Sequence, residues 1–164
     1  MNGVFNLYSL LSLFHHSCCA NTVYSIHKNG VIVVRAAKDI KPNEQITFNF
    51  LRTSKSITFM TLCIQRQIAL LEEKHILCNC VACERNYDFK PELGTKLKIP
   101  KELKQRLRKK RFDIDSLWEL LKLINNEINR PCMEAELLKA ALPDIYLGKQ
   151  ETLLDDLYRL IGVL

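Results

Sequence analysis

No stretch of eighteen apolar residues occurs in this chain, so the sequence offers no membrane-spanning helix. Its apolar start, residues 1–13, has neither a basic opening nor a small-residue cleavage site, which argues against a signal peptide. No clear internal repeat and no low-complexity segment is present, so no repeat architecture is expected. The cysteines number seven, an odd count, and three are crowded together, which excludes a simple disulfide framework. Free thiols of this kind suit a reducing compartment, cytoplasmic or nuclear, and metal binding. The remaining composition is ordinary. At 48% hydrophobic and 26% charged over 164 residues, the chain can build one domain, or a small one with a helical appendage.

The net charge of +6 is a local property. Nine Lys or Arg lie between Lys96 and Arg111 against a single acid, Glu102, a local +8 that leaves the rest of the chain slightly acidic. That run could serve as a nuclear-localisation or nucleic-acid patch. It lacks interleaved stacking aromatics and any reading motif. A solvated helix face, with Leu103 and Leu107 turned inward at i,i+4, is the expected reading.

Periodicity places the elements. Asn6 to Phe14 is short and apolar and reads as a buried helical turn or a strand. The runs 22–27 and 31–35 are rich in β-branched residues and flank Asn29-Gly30, which predicts a hairpin with a type I′ turn. Asp39 to Glu44 reads as a turn around Pro42. Gln45 to Phe50 alternates polar and apolar residues as a third strand, and 52–58 reads as a polar loop. Gln65 to His75 is rich in helix formers and should be a helix. Pro91, Gly94 and Pro100 mark a boundary, giving units 1–90 and 91–164. Beyond it Leu117, Leu120, Leu121, Ile124 and Ile128 repeat at helical spacing behind a cap at Asp113 or Asp115. Pro131 opens a further helix to Leu142, Pro143 is expected to stop it, and 151–160 makes the last.

The chemistry concentrates in Cys78-Asn79-Cys80-Val81-Ala82-Cys83. Three thiolates within six residues can converge on one tetrahedral metal, with Zn–S bonds of about 2.3 Å, but a closed structural site needs a fourth ligand. Cys18 or its neighbour Cys19 is the candidate, about sixty residues upstream. Shared metal would pin everything between into one unit. Cys19, when not the fourth ligand, and Cys63 and Cys132 read as plain core or surface thiols.

Three blocks together resemble a known family. Leu7-Tyr8 through His16-Ser17-Cys18, then Asn21, resembles the "LYP…SLLNHSCxPN" signature of SET domains. Arg35-Ala36-Ala37-Lys38-Asp39-Ile40 with Asn43-Glu44-Gln45-Ile46-Thr47 resembles the block that follows it, and Cys78-x-Cys80-x2-Cys83 resembles the post-SET zinc motif. Order and spacing over residues 4–90 are similar to the SMYD (SET and MYND domain) protein lysine methyltransferases. The resemblance implies an α+β chain: a partial SET β-fold in which the strand near Phe50 threads past the His-Ser-Cys loop, a zinc-binding post-SET segment, and an all-α tail. It implies zinc on Cys18, Cys78, Cys80 and Cys83, S-adenosylmethionine as methyl donor, and a lysine of a protein substrate as acceptor. The cofactor positions of the family fall on His15, His16 and Ile76.

The departures are chemical. His15 replaces an amide, which offers a donor and an acceptor together, by an imidazole whose two nitrogens sit on opposite edges. Phe50 stands where the family has its catalytic Tyr. It keeps the ring wall without a hydroxyl, at a cost on the order of 10²- to 10³-fold in rate by analogy with deleting one positioned donor. The family's Gly-rich opening strand and MYND finger have no counterpart here, so a complete methyltransferase site is not expected from these residues. A zinc-stabilised SET remnant that binds protein partners through its helical tail is the alternative to an enzyme.

Overall fold

The computed structural model describes residues 7–51, 62–91, 98–109, 113–128, 130–148 and 153–160. The polar loop expected at 52–58 and both ends of the basic run lie outside the described residues.

The apolar start is not buried. Leu11–Leu13 form a single 3-10 turn, and Leu7, Leu10 and Leu13 face solvent. Strand β1 (His15–His16) follows, then β2 (Thr22–Ile26) and β3 (Ile32–Ala36), which pair antiparallel with Tyr24 opposite Val34. The hairpin connection is longer than two residues. Gly30, at φ 78°, donates its N–H to the His27 carbonyl at 2.9 Å, while His27 N–H reaches the Val31 carbonyl at 2.8 Å. Asn29 does not take positive φ, so the expected type I′ turn gives way to a loop with glycine in the left-handed position. The physical reason is local: the Asn29 side chain accepts from Val31 N–H at 3.2 Å, competing with the tighter turn.

The third expected strand shrinks to β4 (Thr47–Phe48), which pairs parallel with β1, His16 opposite Phe48. Among the described residues, two small two-stranded sheets therefore stand where a larger β-core was expected.

Helix α1 (Cys63–Lys74) forms as its helix-favouring sequence predicts, and His75 closes it in the left-handed conformation at φ 56°. A short helix α2 (Val81–Glu84) grows from the cysteine cluster itself. The tail consists of α3 (Lys101–Lys109), α4 (Ile114–Glu127), α5 (Met133–Tyr146) and α6 (Leu153–Leu160). Leu103 and Leu107 are buried, as the i,i+4 reading of α3 requires. Asp113 occupies the N-cap position of α4, but its carboxylate bonds the Ser116 hydroxyl and caps no backbone N–H. Pro143 does not stop α5. The helix runs through it to Tyr146, losing one ladder bond, because the element is buried along nearly its whole length.

Two hydrophobic clusters form among the described residues. The larger joins α3 to α6 around Leu117, Leu120, Leu121, Ile124, Leu138 and Leu142, and it takes in Val23 of β2 and Ala37. The smaller gathers Cys18, Leu51, Cys63, Leu70, Ala82, Cys83 and Phe89 around the thiols. Met133 at the start of α5 packs against both. Polar contacts reinforce this junction: Lys139 donates to the Ala20 carbonyl at 3.2 Å, and Asn125 to the Ala37 carbonyl at 2.9 Å.

Candidate metal centre

Of the two candidate fourth ligands, the fold selects Cys18. Its sulfur and those of Cys78, Cys80 and Cys83 all lie within 4.8 Å of one another, and Cys18 and Cys83 approach to 3.6 Å. Sulfurs at the corners of a tetrahedron with 2.3 Å metal bonds would stand about 3.8 Å apart, so the donor set fits a tetrathiolate ion. Cys18 is fully buried, Cys83 is buried, and the other two are half-buried. Hydrogen bonding to Cys78 pushes the Cys18 thiol up, and acceptance from Cys18 pulls Cys78 down to about 5 and Cys80 down as well. A divalent cation bound there would take the place of such shared protons, because metal binding requires deprotonated sulfur.

Local geometry explains the convergence. Helix α1 ends in a left-handed residue whose neighbour, Ile76, donates back to the Leu70 carbonyl at 3.1 Å, turning the chain towards Cys78. Beyond Cys80, α2 folds Cys83 back, with Cys83 N–H on the Cys80 carbonyl at 2.8 Å. Asp88 accepts from the Cys63 N–H at 3.0 Å, so the residues after the cluster cap the helix before it. Arg66 is buried. It donates to the Tyr87 carbonyl at 2.7 Å and lies 3.9 Å above the Phe89 ring. Neither Asp88 nor Arg66 stands out in the sequence; only the spacing of an arginine one helical stretch before the cysteines hints at the second.

His16 lies between the thiols and β4. Its Nδ1 accepts the Phe50 N–H at 3.1 Å, its Nε2 lies 3.5 Å from the Cys18 sulfur, and its ring centroid is 5.2 Å from that of Phe50. Phe50 in turn packs on Phe48 at 4.5 Å, and Phe48 meets Phe14 and Tyr24, making an aromatic wall from the hairpin to the thiols. His15 is exposed, and Ile76 packs beside the thiol cluster without reaching solvent freely. Of the remaining thiols, Cys63 and Cys132 are buried. Desolvation pushes Cys132 up to about 12, which makes it inert. Cys19 is half-buried beside the cluster but is not one of the four converging sulfurs.

Comparison with known proteins bears on this geometry. Residues 2–51 match the sequence profile of the SET domain. The chain is 32% identical over 80 residues to the SET domain-containing protein SmydA-8, isoform A, of Drosophila melanogaster, covering 49% of this chain and 16% of that protein. It is 31% identical over 77 residues to the histone-lysine N-methyltransferase ASHR1 of Arabidopsis thaliana, covering 47% and 15%. The matched region spans about one sixth of the length of these relatives.

Proposed function

We propose, from the match of residues 2–51 to the SET-domain profile, that the protein is a protein-lysine N-methyltransferase of the SMYD type, slowed by Phe50 and folded around a structural zinc ion. The observation that carries this reading is the pairing of β1 with β4, which sets Phe50 beside His16 at the edge of the four-thiol cluster. Zinc is the ion that four cysteines and no open coordination position would take. S-adenosylmethionine supplies a methyl group when bound. By resemblance its contacts fall on His15, His16 and Ile76, but both ring nitrogens of His16 are engaged, so only its backbone would be offered. The acceptor would be a lysine of a protein substrate. Cytoplasm and nucleus, where thiols stay reduced, are the compartments that suit the site. Residues 1–90 would form the zinc-braced unit and 91–164 its helical scaffold.

Phe50 favours a second reading. A ring without a hydroxyl can line a channel but cannot orient an amine, which suits a zinc-folded module that binds protein partners instead of modifying them. One experiment separates the two. The zinc-loaded chain and its Phe50→Tyr variant are incubated with radiolabelled S-adenosylmethionine and a histone mixture. Transfer by the wild type that rises about 10²- to 10³-fold in the variant supports the slowed enzyme. No transfer by either, from folded and metal-loaded protein, leaves the interaction module.

A further inference from the structure

The imidazole of His16 makes two directional contacts at once, and each dictates the other. The Phe50 backbone N–H can only donate, so the Nδ1 that receives it at 3.1 Å carries a lone pair. In a neutral imidazole the proton then resides on Nε2, the atom 3.5 Å from the Cys18 sulfur. A metal-bound thiolate is an acceptor, so this N–H points at the partner it requires. The ring cannot flip without breaking both contacts. The surroundings are equally tied down: Ser17 N–H donates to the Phe48 carbonyl at 3.2 Å, and the Asn49 amide reaches the Cys18 carbonyl at 3.4 Å.

Resting on the metal reading above, we propose that His16 is a positioning residue that ties the metal-bound sulfur of Cys18 to the backbone of Phe50. Its Nε2–H steadies the thiolate, and its Nδ1 holds the turn after β4 that carries the Phe50 ring. The zinc ion thereby does more than close the fold. Through one imidazole it sets the position of residue 50. Hydrogen-bonding partners behind metal ligands commonly orient them and contribute 10- to 100-fold to metal affinity. Here such a partner also reaches out of the metal centre.

The test uses the full chain loaded with Co²⁺, then with Zn²⁺. Thiolate-to-cobalt absorption at one ion per chain must appear first; its absence defeats the metal reading and leaves no sulfur–metal unit for His16 to steady. In the loaded wild type, ¹⁵N imidazole spectra are expected to show His16 protonated on Nε2, and protonation on Nδ1 overturns the proposal without any variant. Two variants then split the contacts. His16→Gln places an amide N–H near the sulfur but leaves Phe50 unheld, whereas His16→Asn offers Phe50 an acceptor but leaves the sulfur bare. The Asn variant should release metal to a chelator about 10- to 100-fold faster than wild type with Phe50 amide exchange still protected. The Gln variant should keep its metal and lose that protection. Variants that match the wild type, or that fall together in both readouts, overturn the relay and leave His16 a packing residue. If neither variant folds, the wild-type tautomer decides.

Discussion

Asn21 and Thr47 are clasped by three hydrogen bonds across 26 residues of chain. The Asn21 carboxamide oxygen accepts from both the Thr47 N–H, at 2.8 Å, and its hydroxyl, at 3.1 Å, and the Thr47 hydroxyl oxygen lies 3.2 Å from the Asn21 N–H. The amide nitrogen of the same side chain reaches the Gln45 carbonyl at 2.8 Å and the Glu44 carboxylate at 3.1 Å. One buried side chain thus pins the loop that carries Cys18 to the strand that leads into Phe50. Asn21→Ala should cost about 1–3 kcal/mol, the penalty for leaving buried groups unsatisfied. The denaturant midpoint of the metal-loaded chain should fall with its slope unchanged.

On the zinc reading, removing the metal should do more than that. Structural zinc carries roughly 10–16 kcal/mol of binding free energy coupled to folding. Excess chelator, or Cys80→Ser, is expected to abolish the cooperative unfolding of the first half of the chain. Circular dichroism with parallel metal analysis checks this. A chelated protein with an unchanged transition would show that the thiols pack without an ion.

Arg66→Lys should be destabilising despite keeping the charge. A lysine ammonium cannot both donate in the guanidinium plane to the Tyr87 carbonyl and lie flat on Phe89. The expected loss is about 2 kcal/mol in denaturant titration, from a charged hydrogen bond and a desolvated cation–π contact.

Lys139 and Glu136 form a largely buried ion pair at 2.5 Å. Burial pushes the Glu136 carboxyl above its ordinary value of 4.5, and Lys139 opposes that push. Lys139→Met should cost about 3–5 kcal/mol at neutral pH by stranding the carboxylate. A carboxyl with a raised folded pKa contributes stability below its unfolded pKa and loses it as pH rises through the folded one. The variant should therefore approach wild-type stability near pH 4 and fall progressively behind above 4.5, more steeply than the wild type. Unfolding titrations at several pH values measure the divergence.

Much of the site is legible in the order of residues because its signals are local. Cysteines two and three apart can face one ion only if the backbone turns tightly, and α2 supplies that turn. The hairpin shows in its β-branched runs, α1 in its helix formers, and the inward face of α3 in Leu103 and Leu107. Where local signals competed with packing they misled. Pro143 reads as a stop, yet α5 continues through it because burial on both sides outweighs one lost hydrogen bond. Leu7, Leu10 and Leu13 read as core, yet they face solvent.

Chain order and residue chemistry were enough to point to four thiols that could hold one cation, a hairpin, a helical tail and an aromatic without a hydroxyl at position 50. They could not by themselves place the fourth sulfur: the residues alone left Cys18 and Cys19 open, the family resemblance pointed to Cys18, and the pairing of β1 with β4 sets the Cys18 sulfur among the other three. Nor could they show that His16 faces both sulfur and strand, or that Lys139 and Asn125 reach the loops around Ala20 and Ala37. Those contacts join residues from 2 to 119 positions apart, and no local periodicity encodes them. They exist because a buried polar group must find a partner wherever the packed core happens to place one.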